Sequence, residues 1–125
     1  MSFNWGDYLS LANALLTKPN TPGPEEAAYR SAVSRAYYAA FCSARNFARD
    51  EEKFSLPQTA KAHQLVMTYF HSNQDPLRRK IGRNLRRLRD YRNRADYDDS
   101  LARPDAIAQA SVALANQILE DLKIL

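Results

Sequence analysis

The chain has 125 residues, 45% of them apolar and 26% charged, with a formal net charge of +4. That length supports one domain, residues 1–125, with a real core, and is too short for two. No apolar run approaches the ~20 residues that span a bilayer, the first residues MSFNWGDYLS lack the basic start and apolar stretch of a signal peptide, and the lone Cys42 has no partner for an internal disulfide, so the expectation is a cytoplasmic protein with no membrane segment.

Only three glycines occur and no segment sustains a strand-like alternation, so the chain reads as all-α. A first helix is predicted over about 5–17, with Trp5, Tyr8, Leu9, Ala12, Leu15 and Leu16 inward. The segment Lys18 to Pro24, KPNTPGP, stops it, because prolines and a glycine do not continue a helix. A second helix starts near Glu25, where two acids suit the positive end of the dipole, and runs to about Arg49. Tyr29, Val33, Ala36, Tyr37, Ala40, Phe41, Ala44 and Phe47 form its main stripe, and Tyr38, Ala39 and Cys42 occupy the opposite side. A helix apolar nearly all round is central to its domain or lies at an interface.

A loop with Pro57 leads to a third helix over about Gln58–Ser72, with Ala62, Val66, Tyr69 and Phe70 inward. A fourth covers about 76–95, with Leu77, Ile81, Leu85, Leu88, Tyr91 and Ala95 on one face. At ~100° per residue, Arg92 falls ~20° from Ile81, inside that apolar stripe. A guanidinium does not give up its proton, so a buried one needs carboxylates, carbonyls or a bound anion. Arg92 therefore either staples the core or serves a site. A polar turn, Asp96 to Ser100, precedes a last helix from about Pro104, with Ile107, Ser111, Leu114, Ile118, Leu122 and Leu125 as its stripe. The predicted architecture is an up-and-down bundle of four main helices plus a short additional one.

Charge is concentrated. Arg78, Arg79, Lys80, Arg83, Arg86, Arg87, Arg89, Arg92 and Arg94 are nine of the eighteen basic residues and fall within seventeen positions, with Asp90 as the single acid. Such density makes a local positive field for which phosphate-rich partners are the natural match. The alternative is a solvated face, or one that pairs with acids elsewhere in the fold.

Other chemistry is poorly supported. His63 and His71 are eight apart, without an HExxH or a cysteine pair, so no metal is expected; each reads as a partly exposed helix residue. Cys42 reads as a small apolar filler rather than a nucleophile. The absence of a glycine-rich phosphate loop excludes ATP or NAD binding through a Walker or Rossmann fold, and no cofactor is expected.

Two segments carry more information: Ser34-Arg35-Ala36-Tyr37-Tyr38-Ala39-Ala40-Phe41 on the second helix, and Leu88 to Tyr97, which ends Arg92-Asn93-Arg94-Ala95-Asp96-Tyr97. Together they resemble the HEPN superfamily of small α-helical domains. SRAYYAAF resembles its early-helix signature, and RNRADY its second signature in the variant R-x-x-A-D-Y. Helix order and length agree, so the resemblance covers most of the chain.

The resemblance implies a specific chemistry. Many HEPN proteins are metal-independent endoribonucleases in which an arginine, usually followed by a polar residue, precedes a histidine by five to seven positions, and two copies form a composite site. Arg92-Asn93 matches the first half. Tyr97, Asp98 and Asp99 occupy the positions open to the histidine. Histidine moves protons near neutral pH; a tyrosine with pKa about 10 is a poor base there. Arginine still stabilises charge on phosphate.

The preferred expectation is thus a HEPN homodimer that binds RNA or a nucleotide-bearing partner without strong catalysis. Arg92, Asn93 and Tyr97 would form its centre. Arg35, Arg83, Arg86, Arg87, Arg89 and Arg94 would hold anions, and Ser34, Tyr38 and Asp96 would support them. The resemblance further implies a companion nucleotidyltransferase in a toxin–antitoxin pair, where a tyrosine near the motif receives AMP. An active endoribonuclease using Arg92, Asn93 and Tyr97, and a structural interaction module with Arg92 as a staple, are the alternatives.

Overall fold

The computed structural model describes residues 2–17 and 24–125. The predicted stop over Lys18 to Pro24 therefore lies outside the described residues, apart from Pro24. Among the described residues five helices form the all-α bundle: α1 (Gly6–Thr17), α2 (Glu25–Asp50), α3 (Lys61–His71), α4 (Pro76–Tyr97) and α5 (Pro104–Ile124). Among the described residues there is no strand, and no helix is long and apolar enough to cross a membrane.

α2 is the central element and packs against each of the other four. That explains its apolar circumference: Val33, Ala36, Tyr37, Ala40 and Ala44 are fully buried, and so is Ala39 on the opposite side, with Cys42 nearly so. Alanines at these positions let neighbouring backbones approach closely. The all-round apolarity is thus satisfied within one chain, and it carries no argument for a second copy.

α4 runs alongside α2, α3 and α5. Ile81, Leu85 and Leu88 are fully buried, and Arg92 shares their face with 9% of its surface exposed. Its start is well specified. Asp75 is the N-cap, its carboxylate accepting from the N–H groups of Leu77 (3.3 Å) and Arg78 (3.4 Å), and Pro76 follows in the first turn. Gly82 lies where α4 touches the end of α3; a Cβ there would sit 2.7 Å from the Cα of His71. Lys80 bridges to α5 through the buried Asp121 at 3.3 Å.

Two helix boundaries differ from the periodicity-based ones. α3 begins at Lys61, not Gln58, because Gln58 and Thr59 form bends, Ala60 lies in a turn, and Ala60 supplies no side-chain cap. α4 continues through Asp96 and Tyr97 rather than ending at Ala95. Its last turn is held from outside. Arg30 on α2 donates to the carbonyl oxygens of Ala95 (2.9 Å) and Asp98 (2.7 Å), where a cation suits the helix C-terminus.

Candidate nucleic-acid interface

Nine basic residues along α4 divide by what they touch. Arg78 is neutralised by Glu52 (2.5 Å) and Asp75 (2.7 Å). Arg79 donates to the carbonyls of Asn73 (3.2 Å) and Gln74 (2.5 Å). Arg89 donates to Gln64 Oε1 at 3.3 Å, while its Nε is buried without a partner. Arg83, Arg86, Arg87 and Arg94 are exposed and make no ion pair or side-chain hydrogen bond among the described residues. At ~100° per residue these four fall within a ~100° arc, one continuous stripe on the solvent side of α4. Only Asp90 interrupts it. Glu52 and Asp75 serve the helix start alone, so acids elsewhere in the fold do not neutralise the stripe.

Arg92 points inward. Its guanidinium carbon lies 4.8 Å from the Tyr37 ring centroid and 5.7 Å from that of Tyr38, within cation–π range. Asp96, one turn along, is 3.8 Å from Nη1, too far for a direct hydrogen bond. Nε is buried without a partner. The charge is therefore held by aromatic faces and one distant carboxylate, with hydrogen-bonding capacity left over. Asn93 and Tyr97 stand apart from it: both are exposed, Tyr97 by 74%. Within one chain, Arg92 is thus brought together with Tyr37, Tyr38 and Asp96, and not with Asn93 or Tyr97.

The α2 signature supplies a second cation. Arg35 lies 4.7 Å over Tyr8 of α1 and 5.4 Å over Tyr38, with a long bond of 3.4 Å to the Oγ of the buried Ser34. Tyr38 thus lies within cation–π range of both Arg35 and Arg92.

The sequence reading missed an aromatic–imidazole cluster beneath Arg92. Tyr37 Oη and His63 Nδ1 are 2.5 Å apart. The His63 ring stacks on Phe41, with centroids 4.0 Å apart and planes 4° apart. Burial pushes the Tyr37 hydroxyl up to about 12, against the pull of Arg89 and Arg92. Burial also lowers His63 to about 4, helped by the positive fields of Arg89, Arg92 and Arg45. Both groups are therefore uncharged at neutral pH. Tyr37 and His63 lie 26 positions apart on different helices, so no local spacing announces the pair. Among the described residues no group of three or more His, Cys, Asp or Glu side chains is placed to hold a metal.

Comparisons with known proteins bear on the family. A family model described as HEPN domain matches residues 24–125, which include α2 to α5 and both signature segments. A protein from Methanocaldococcus jannaschii, described as uncharacterized, is 30% identical over 110 residues, covering 77% of this chain. The match spans 61% of that relative's length. No solved structure matches.

Proposed function

The chain belongs to the HEPN domain family, and from that premise we propose that it binds RNA through the arginine stripe of α4 as a homodimer. The observation that carries this reading is the row Arg83, Arg86, Arg87 and Arg94, exposed and without carboxylate partners among the described residues. Four unneutralised guanidiniums along about 16 Å of helix suit successive phosphates of a strand, through counterion release and charge-assisted hydrogen bonds. Arg35, Arg89 and Arg92 add positive field behind the stripe. Ser34, Tyr38 and Asp96 support them. The whole of 1–125 acts as one domain on this reading, supported by the packing of α1 on α2 and α5. The dimer rests on the family resemblance alone.

Without a motif histidine, binding rather than cleavage is the expected outcome. Purified protein incubated with single-stranded RNA in EDTA, alongside binding measured at several salt concentrations, tests this. Salt-sensitive binding that weakens when Arg83, Arg86 and Arg87 become glutamine, with intact RNA, is the expected result. Binding indifferent to those arginines would overturn it. Metal-independent cleavage abolished in Arg92→Ala would replace it with the endoribonuclease reading.

A second reading concerns Tyr97. Its hydroxyl stands on a side chain 74% exposed at the end of α4, within reach of a companion nucleotidyltransferase that would transfer AMP to it. Mass spectrometry of the chain expressed with its genomic neighbours would reveal an adenylyl mass lost in Tyr97→Phe.

A further inference from the structure

The first turn of α3 is held to α2 by one polar tie among the described residues. His63 is the third residue of α3, and its Nδ1 lies 2.5 Å from Tyr37 Oη. The ring also covers Phe41, with centroids 4.0 Å apart, and leaves Phe41 3% exposed. Little else anchors that turn. Residues 57–60 are all exposed, Ala60 supplies no side-chain cap, and the Lys61 N–H reaches Thr59 Oγ1 at a long 3.3 Å. Of Lys61, Ala62 and Gln64, which flank His63, only Ala62 is buried. On either side the chain is pinned: Phe54 stacks on Tyr69 at 4.4 Å, and Val66 and Phe70 are fully buried. Residues 57–63 therefore form a strap between two pins, with His63 as its fastening.

We propose that protonation of His63 unfastens this strap, releasing residues 57–63 from α2 and baring the face of Phe41 while the rest of the bundle stays packed. The chemistry is one proton taken from solvent. Burial keeps the Tyr37 hydroxyl neutral, so it donates to Nδ1 and the ring proton lies on Nε2. A second proton on Nδ1 uses the lone pair that accepts this bond. Two donors then face each other, and both are better served by water.

The surroundings reject the imidazolium from every side. From α2, Arg45 lies 6.0 Å over the Phe41 ring on which His63 stacks. From α4, Arg92 lies 4.8 Å over the Tyr37 ring, and Arg89 donates to the neighbouring Gln64 at 3.3 Å. Tyr37 and Tyr38 are the other titratable groups beside the ring, and among the described residues no acid acts on it. α3 itself contains no acid, and its first turn carries the positive end of the helix dipole, where a cation is disfavoured. Burial and these fields hold the fastened ring at about 4, against 6.5 for a released one. The open form takes the proton first, so the strap is fastened above about pH 6.5 and its release is favoured progressively as the pH falls towards 4.

Amide hydrogen exchange of the full chain, read by NMR, tests the latch. The amides of Leu65, Val66 and Met67 bond back to carbonyls of the first turn of α3, so their exchange reports on it. Corrected for intrinsic rates, their opening constants should rise about twentyfold between pH 7.5 and pH 5. That opening should be insensitive to low urea, with Val112 and Ile118 of α5 remaining the better protected, as befits a local release. His63→Gln does not titrate and should abolish the rise. The His63 imidazole is followed in parallel, with His71→Gln identifying its signal. Arg45→Gln removes one of the three cations and should move its midpoint upward. Tyr37→Phe keeps the ring beneath Arg92 but removes the donor, so it should also raise the midpoint and speed the exchange already at pH 7.5. A rise that persists in His63→Gln, α3 amides that exchange only through urea-dependent global unfolding, or a midpoint unmoved by Arg45→Gln would overturn the latch. If His63→Gln does not fold, the shifts in Arg45→Gln and Tyr37→Phe decide alone.

Discussion

The guanidinium of Arg92 rests 4.8 Å above the ring of Tyr37. One residue belongs to the late signature on α4 and the other to the early signature on α2. The two segments that identify the family are therefore one contact in three dimensions, and Arg92 lies buried at it without a close carboxylate. Site and staple cease to be opposites: the same side chain holds α4 against α2 and keeps an unpaired Nε.

Arg92→Met preserves the packing volume and removes the charge. Since replacing an under-compensated buried charge with an apolar side chain is often neutral, urea denaturation should show stability within about 1 kcal/mol of the parent. Arg92→Ala should cost about 2–3 kcal/mol, through the cavity and the lost cation–π contacts. A larger loss in Met than in Ala would contradict this account of the residue.

The α4 stripe predicts a slope as well as an affinity. For a single strand, each phosphate contact contributes about 0.7 to the dependence of log K on log salt. Neutralising Arg83, Arg86 and Arg87 together should flatten that slope by about 2, read from fluorescence anisotropy between low and physiological salt. An unchanged slope would place the phosphate contacts elsewhere.

His63 predicts a pH window. The unfolded imidazole titrates near 6.5 and the folded one at about 4. The unfolded chain therefore binds the proton first, so stability is full above about pH 6.5 and falls as the pH drops towards 4. Asp50, Glu52 and Asp75, held below their usual range by arginine partners or, for Asp75, by helix N–H groups and Arg78, lose their contributions lower down. Denaturant midpoints measured from pH 7 to 4.5 should decline in the parent and stay flatter in His63→Gln. Equal decline in both would mean the ring is not shielded.

Gly82→Ala should destabilise by about 1–3 kcal/mol, because the added methyl meets backbone of His71, which has no side-chain freedom with which to yield. Thermal melting checks it. A neutral effect would show that α3 slides along α4 at low cost.

Much of the fold was legible because it follows from period. The stripe Ile81, Leu85, Leu88 on α4 and the stripe Val33, Ala36, Tyr37, Ala40 on α2 are buried as their spacing requires, and Arg92 lies in its apolar stripe as the angle demands. What escaped the sequence were relationships between residues far apart in it. Glu52 neutralises Arg78, Arg30 caps α4, and Tyr37 binds His63; each pair joins different elements, and no helical repeat encodes which elements meet. The missing motif histidine drew attention to positions 97–99, whereas the imidazole beside Arg92's cluster comes from α3. The end of α4 was misplaced for the same reason: propensity alone places Asp96 and Tyr97 in a turn, and a distant arginine keeps them helical.

Arg30 also sets the stiffness of the late signature. One side chain clasps the carbonyls of Ala95 and Asp98, so the final turn of α4, which packs inward through Ala95, is also riveted to the first turns of α2. Tyr97 projects from that rivet, exposed, while Asp96 keeps its carboxylate 3.8 Å from the buried Arg92. Loosening that single guanidinium would let the end of α4 fray, Tyr97 first, while the bundle beneath stayed whole.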